Sequence, residues 1–137
     1  MKKYMNGNLV RYKGQVHRVK TSTSKYVTLE DIYEEMLNEY EEPATYYKTL
    51  DDEKAVEDIP LSDEFFINND YKFDKGAELF IAKDGFGPAI KRSILNDYFC
   101  NDRVEYSVAG IIIRTVDEFQ NLMNVMHCER IADKITV

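Results

Sequence analysis

Lys13-Gly14 separates two short runs, Leu9-Val10-Arg11-Tyr12 and Gln15-Val16-His17-Arg18-Val19-Lys20, in which β-branched and aromatic residues dominate the apolar positions. A glycine able to supply positive φ between two such runs specifies an antiparallel β-hairpin, and this fixes the first architectural step of the chain. Alternation on the second arm is imperfect, because Val16 and Val19 stand three apart, so a bulge or a twisted strand is expected there. Thr21-Ser22-Thr23-Ser24 reads as a polar connector and Tyr26-Val27 as a short third strand.

From Leu29 the apolar period changes. Leu29, Ile32, Tyr33, Met36, Leu37 and Tyr40 fall on one face of a 3.6-residue repeat, which predicts an amphipathic helix over 29–40. Thr28 is placed as its N-cap, Asp31 as an acidic capping-box partner, and Pro43 as its stop. Glu30, Asp31, Glu34, Glu35 and Glu39 form the opposite face. Like charges four apart cost about 0.2–0.5 kcal/mol per pair, against roughly 1.5–3 kcal/mol for each buried apolar side chain. Such a helix is expected to form only when docked.

Downstream, Thr45–Leu50 reads as a strand, 51–54 as a turn, and Asp63–Asn68 as a short helix capped by Ser62. A second hairpin is expected from Tyr71–Phe73 and Ala77–Ala82, then a loop at Asp84-Gly85-Phe86-Gly87-Pro88. Further strands follow at 89–95, 103–108 and 111–114. Thr115 and Glu118 read as the capping box of a C-terminal helix in which Val116, Phe119, Leu122, Met123 and Met126 share a face, with Asp117, Gln120, Asn121 and Asn124 opposite. Lys134–Val137 looks strand-like. The expected fold class is α+β: a small SH3-like β-hairpin or barrel region, then an α+β lobe with short antiparallel strands and the C-terminal amphipathic helix. Its 137 residues suit one compact domain, 1–137, with 1–60 and 61–137 as possible lobes.

An apolar share of 44% and a charged share of 31% are those of a globular chain rather than a disordered one. The N-terminus has charge but no apolar segment behind it, and the longest apolar run, Val108–Ile113, is far short of a membrane span. Cys100 and Cys128 form no disulfide framework. A cytoplasmic protein with reduced thiols and no membrane contact is expected.

Charge is distributed unevenly. Residues 1–27 carry seven Lys/Arg and no Asp or Glu; residues 28–64 carry fourteen Asp/Glu against two Lys; residues 65–137 carry eleven against nine. Net charges of +7, −12 and −2 bear on partners rather than on fold.

Three stretches carry a resemblance. Gly7-Asn8-Leu9-Val10-Arg11-Tyr12-Lys13-Gly14 looks like a "GN-V-Y-G" opening hairpin, Asp58-Ile59-Pro60-Leu61-Ser62-Asp63-Glu64-Phe65 like an "IPLTEE-L" helix entry, and Ile113-Arg114-Thr115-Val116-Asp117-Glu118-Phe119-Gln120-Asn121-Leu122 like a "VHELQNL" helix. Together they resemble a loose family of small, functionally uncharacterised proteins from phages and mobile elements of anaerobic gut bacteria. The resemblance implies a phage-like origin and a barrel-like hairpin start. It implies no activity, and Asp117 stands where that family usually has His, so no role for that His carries over.

Candidate chemistry is sparse. Lys2, Lys3, Arg11, Lys13, Arg18, Lys20 and Lys25, interleaved with Tyr4, Tyr12 and Tyr26, are residues that neutralise phosphates and stack bases. Against this stands a sequence pI near 4.9. The carboxylates of 28–64 read first as an ordinary solvated helix face with acidic loops, and second as a phosphate-backbone mimic or a dock for a partner's basic surface. Asp51, Asp52 and Glu53 lack the spacing and glycine of a calcium loop. Cys100, His127 and Cys128 match no zinc spacing, and with Asp117 they make no recognisable nucleophile–base set. The Asp84–Pro88 loop lacks the Lys-Ser/Thr of a phosphate cradle and reads as a turn.

A non-enzymatic accessory protein that binds an unidentified protein partner is therefore expected, with Glu30, Glu34 and Glu35 as the contacting surface. The alternative is nucleic-acid binding with Arg11, Lys13, Arg18 and Lys20 on phosphates. A small enzyme ranks third. No catalytic residue, cofactor or metal is assigned.

Overall fold

A computed structural model of the protein describes residues 3–23, 25–31, 36–37, 43–44, 47–50, 56–96 and 102–137. The chain has both strands and helices, an α+β fold, and divides into two compact units, Met1–Ile59 and Pro60–Val137.

The first unit contains strands β1 (Leu9–Tyr12), β2 (Gln15–Ser22), β3 (Val27–Asp31), β4 (Met36–Leu37), β5 (Pro43–Ala44), β6 (Tyr47–Leu50) and β7 (Val56–Glu57). Five of them form an antiparallel sheet in the order β6-β3-β2-β1-β7, while β4 and β5 pair with each other. The opening hairpin forms as expected, with Tyr12 opposite Gln15. Its two-residue turn holds Lys13 at φ 49° and Gly14 at φ 78°, the doubly positive geometry whose twist matches the flanking strands. The expected irregularity in β2 is a register shift between Val19 and Thr21. Tyr4, Val10, Tyr12, Val19, Val27, Leu29 and Val56 make one buried cluster, and the Tyr4 hydroxyl donates to Asp58 at 2.6 Å.

The helix expected over 29–40 is not what the described residues form. Leu29–Asp31 continue β3, paired with β2 on one side and β6 on the other, and Met36–Leu37 are β4. Val27 and Leu29, two apart, are both fully buried on one face of β3, so the period-2 reading wins there. Pairing on both flanks satisfies the backbone of β3 and avoids stacking like charges at i, i+4. Residues 32–35 and 38–42 lie outside the described residues, as does the expected turn at 51–54.

The second unit contains α1 (Asp63–Asn68), β8 (Tyr71–Asp74), β9 (Leu79–Ala82), β10 (Ile90–Asn96), β11 (Asp102–Val108), β12 (Ile111–Ile113), α2 (Val116–Val125) and α3 (Glu129–Lys134). Its sheet is an antiparallel meander, β12-β11-β10-β9-β8. Ser62 caps α1 by accepting from the Phe65 amide at 3.1 Å. Leu61 donates its amide to the Arg114 carbonyl at 3.0 Å, tying the entry of α1 to the entry of α2.

Phe66 of α1, fully buried, is the centre of the second unit's core. Its ring stacks on Phe80 of β9 at 5.2 Å, meets Tyr106 of β11 at 5.0 Å, and stands edge-on to Phe119 of α2 at 5.5 Å and Tyr71 of β8 at 5.8 Å. Edge-on and offset arrangements set ring edges against π-faces and add attraction beyond area burial.

Two details of α2 differ from expectation. Thr115 makes no side-chain cap hydrogen bond, and Glu118 reaches one residue further back, accepting from the Arg114 amide at 2.7 Å. Asp117 and Gln120, expected on the solvent face, are buried alongside Val116, Phe119 and Met123. The strand-like C-terminus is instead the last turn of α3 followed by extended Ile135, because a tight reversal at residues 126–128 restarts the chain as a helix.

Replacing Phe66 by Ala removes the ring on which β8, β9, β11, α1 and α2 converge. A loss of about 3–5 kcal/mol is expected from urea denaturation followed by circular dichroism, with Phe66→Leu well below that.

Candidate functional site

The expected nucleic-acid residues lie on the opening hairpin: Arg11 on β1, Lys13 in the turn, and Arg18 and Lys20 on β2. The register places Arg11 directly opposite Glu57 of β7, and Arg18 directly opposite Glu30 of β3. Opposed residues share a face with Cβ atoms roughly 4.5–5.5 Å apart, so each arginine sits in a carboxylate's field. The Arg18 guanidinium donates to the Gly7 carbonyl at 3.4 Å, and the Lys13 ammonium lies 5.3 Å from the centre of the Tyr12 ring. Glu30, expected on a helix face, is half-buried on β3; Glu34 and Glu35 lie outside the described residues.

His127 and Cys128 have a structural role. His127, at φ 60°, follows the last residue of the α2 cap; its amide donates to the Asn124 carbonyl at 3.2 Å while the Cys128 amide donates to the Met123 carbonyl at 2.7 Å. This paired 5→2 and 6→1 bonding terminates a helix through a left-handed residue. The His127 side chain is 92% exposed, and its Nδ1 lies 3.7 Å from Glu129. Cys128, half-buried, is the N-cap of α3. Asp117 is buried on α2, and Cys100 lies outside the described residues. Among the described residues, no group of three His, Cys, Asp or Glu side chains is placed to hold a metal ion, and no helix is long and apolar enough to cross a membrane.

Two polar assemblies in the second unit have no counterpart in the sequence expectations. In the first, Asp63 at the start of α1 accepts from the Arg92 Nε at 2.9 Å and from the Tyr106 hydroxyl at 2.6 Å, and Arg92 lies 5.6 Å from the Phe73 ring centre. Burial pushes the Asp63 carboxyl up, but the hydrogen bonds from Arg92 and Tyr106 and the guanidinium charge together hold it below the usual aspartate value. Burial, followed by the hydrogen bond to Asp63 and its charge, raises Tyr106. This cluster fastens α1 across β10 and β11.

The second assembly is a cleft of about 380 Å³ between the turn after α1, the loop after β9, and α3. Asn69 builds one end: its amide nitrogen donates to the Phe65 and Thr136 carbonyls at 2.7 and 2.9 Å, and its oxygen accepts from the Thr136 amide at 2.8 Å. The Lys83 amide donates to the Asp70 carbonyl at 2.9 Å, and Asp84 accepts from the Phe86 amide at 2.9 Å, shaping the opposite wall. Asp70, Asp84, Arg130 and Lys134 line the cleft, and the Phe86 ring, 79% exposed, stands at its rim. Tyr71 also lines it; the residue is 2% exposed and its buried hydroxyl has no hydrogen-bond partner among the described residues. Burial, with Cys128 and Asp84 adding to it, pushes that hydroxyl up to about 12, so it stays neutral through the physiological range. The chain matches no protein-family model, no curated protein and no solved structure.

A raised tyrosine pKa contributes stability that is complete below about 10, the unfolded value, and is lost as pH rises through about 12. Tyr71→Phe is therefore expected to make the alkaline loss of stability shallower. At neutral pH it leaves stability unchanged or raises it by about 1–3 kcal/mol, since an unsatisfied buried hydroxyl disappears. Urea denaturation across that pH range reads both effects. His127→Gly is expected to raise stability by about 0.5–1 kcal/mol in the same assay, because glycine adopts the left-handed cap without a Cβ clash.

Proposed function

We propose that the protein is a small accessory protein, derived from a phage or mobile element, that acts by binding another protein through the negative field of its first unit. One observation carries this reading: Glu30 and Glu57 stand opposite Arg18 and Arg11, so both arginines of the opening hairpin face carboxylates on the flanking strands. The first unit, residues 1–59, carries nine Lys/Arg against twelve Asp/Glu, and the charge left over is −3. A negative field steers and orients a partner with a basic surface, with Glu30, Glu34 and Glu35 as the contacting carboxylates. The same juxtaposition counts against nucleic acid on the hairpin, since phosphates approaching Arg11 and Arg18 also meet Glu57 and Glu30.

The test pairs affinity capture from the host lysate with titration of the captured protein against the wild type and a Glu30→Gln/Glu34→Gln/Glu35→Gln variant. Binding is expected to weaken about tenfold or more in the variant, and to weaken for the wild type as salt rises from about 50 to 300 mM. An affinity indifferent to the triple substitution places the contact elsewhere. A gel shift of DNA or RNA at about 50 mM salt, abolished by Arg11→Gln/Arg18→Gln, would transfer the function to nucleic acid.

A further inference from the structure

The cleft of the second unit plays no part in that reading, and its charges are arranged differently from those of the hairpin. Asp70, Arg130 and Lys134 form no ion pair with any described residue, and among the described residues Asp84 is hydrogen-bonded by the Phe86 amide of its own loop and by no cation. Two carboxylates and two cations thus line one cavity of about 380 Å³ without neutralising each other. A cavity of this size is at the small end of ligand sites, which run from roughly 300 to 1,000 Å³.

The balance of signs selects the ligand. A simple anion drawn to Arg130 and Lys134 is opposed by Asp70 and Asp84; a simple cation meets the reverse. A molecule that carries both charges, separated by a few bonds, gains from both pairs. Arg130 and Lys134 are four apart on α3 and therefore neighbours on its surface, where like charges repel. A carboxylate accepted between them relieves that repulsion and takes charge-assisted hydrogen bonds from both. Ile131 lies beside Arg130 in the lining, and the Phe86 ring at the rim adds a second apolar surface for whatever joins the two charged groups. Tyr71 shares this lining, with its hydroxyl buried behind the surface and without a hydrogen-bond partner among the described residues.

We propose that this cleft binds a small zwitterion of the amino-acid or dipeptide class, its carboxylate on Arg130 and Lys134, its ammonium on Asp70 and Asp84, and its apolar side chain against Ile131 and Phe86.

The experiment is an amide chemical-shift titration of the full chain with leucine and with alanyl-leucine, alongside N-acetyl-alanyl-leucine, alanyl-leucine amide and inorganic phosphate. Leucine or alanyl-leucine is expected to shift Asp70, Tyr71, Phe86 and Ile131 saturably, and each blocked dipeptide to bind about tenfold more weakly or worse. Arg130→Gln is expected to erase the preference for the free acid over the amide, and Asp84→Asn the preference for the free amine over the acetylated form. Both residues line an open cleft, so neither change threatens the fold. The proposal is overturned if no zwitterion gives saturable shifts up to about 20 mM, if the blocked forms bind as well, or if phosphate shifts the same residues equally. None of these outcomes bears on partner binding by the first unit.

Discussion

The seating of Phe66 determines where much else in the second unit can stand. A six-residue helix has no independent stability, because nucleation costs more than its few hydrogen bonds return. Helix α1 exists because Ser62 caps it and because Phe65 and Phe66 drive into rings supplied by β8, β9, β11 and α2. Once α1 is fixed, its end is fixed as well. Asn69 then satisfies the Phe65 carbonyl with one hand and holds the backbone of Thr136 with the other, which anchors the segment following α3. Asp70 and Tyr71 follow immediately and become cleft wall. A side chain that does not itself line the cleft therefore sets the geometry of its lining, through two short connections and its contact with Tyr71.

The sequence made the hairpins legible because their information is local. Lys13-Gly14 between β-branched runs states a turn type, and Ser62 before Asp63-Glu64 states a helix start. Residues 29–31 and 36–37, expected in a helix, are strands for the opposite reason. Apolar residues at Leu29, Ile32, Tyr33 and Met36 satisfy a 3.6-residue period, yet Val27 and Leu29 satisfy a 2-residue period equally well. Which one operates was decided by β2 and β6 lying on either side of β3, and strand pairing with sequence-distant partners leaves no trace in a local window. The like charges on the expected helix face were a local warning against it.

The cleft was less legible still. Its lining comes from the turn after α1, the loop after β9 and α3, three segments with no shared motif. The Asp84–Pro88 loop was recognisable as a turn but not as a wall. Arg130 and Lys134 were invisible as a pair because Lys134-Ile135-Thr136-Val137 reads as β-structure. What makes 129–134 helical is the reversal before it, where His127 takes a left-handed conformation that a non-glycine residue seldom adopts. The one His-Cys dipeptide that invited a chemical reading is thereby explained by backbone geometry.

Charge serves two purposes in this chain. In the first unit, Arg11 and Arg18 face Glu57 and Glu30 across adjacent strands, so register itself sets unlike charges side by side and no long side chain need be immobilised in an ion pair. Such an arrangement costs little entropy and tolerates substitution at either position. In the second unit, Asp63 and Arg92 are locked together by directed hydrogen bonds that fasten α1 to the sheet, while Asp70, Asp84, Arg130 and Lys134 share a cavity unpaired. A fold that can pair charge tightly at Asp63 and loosely at Glu30 has both means of neutralising the cleft. Leaving its four charges unpaired keeps them hydrated and available, which is the electrostatic condition for exchanging water for a ligand rather than for a neighbouring side chain.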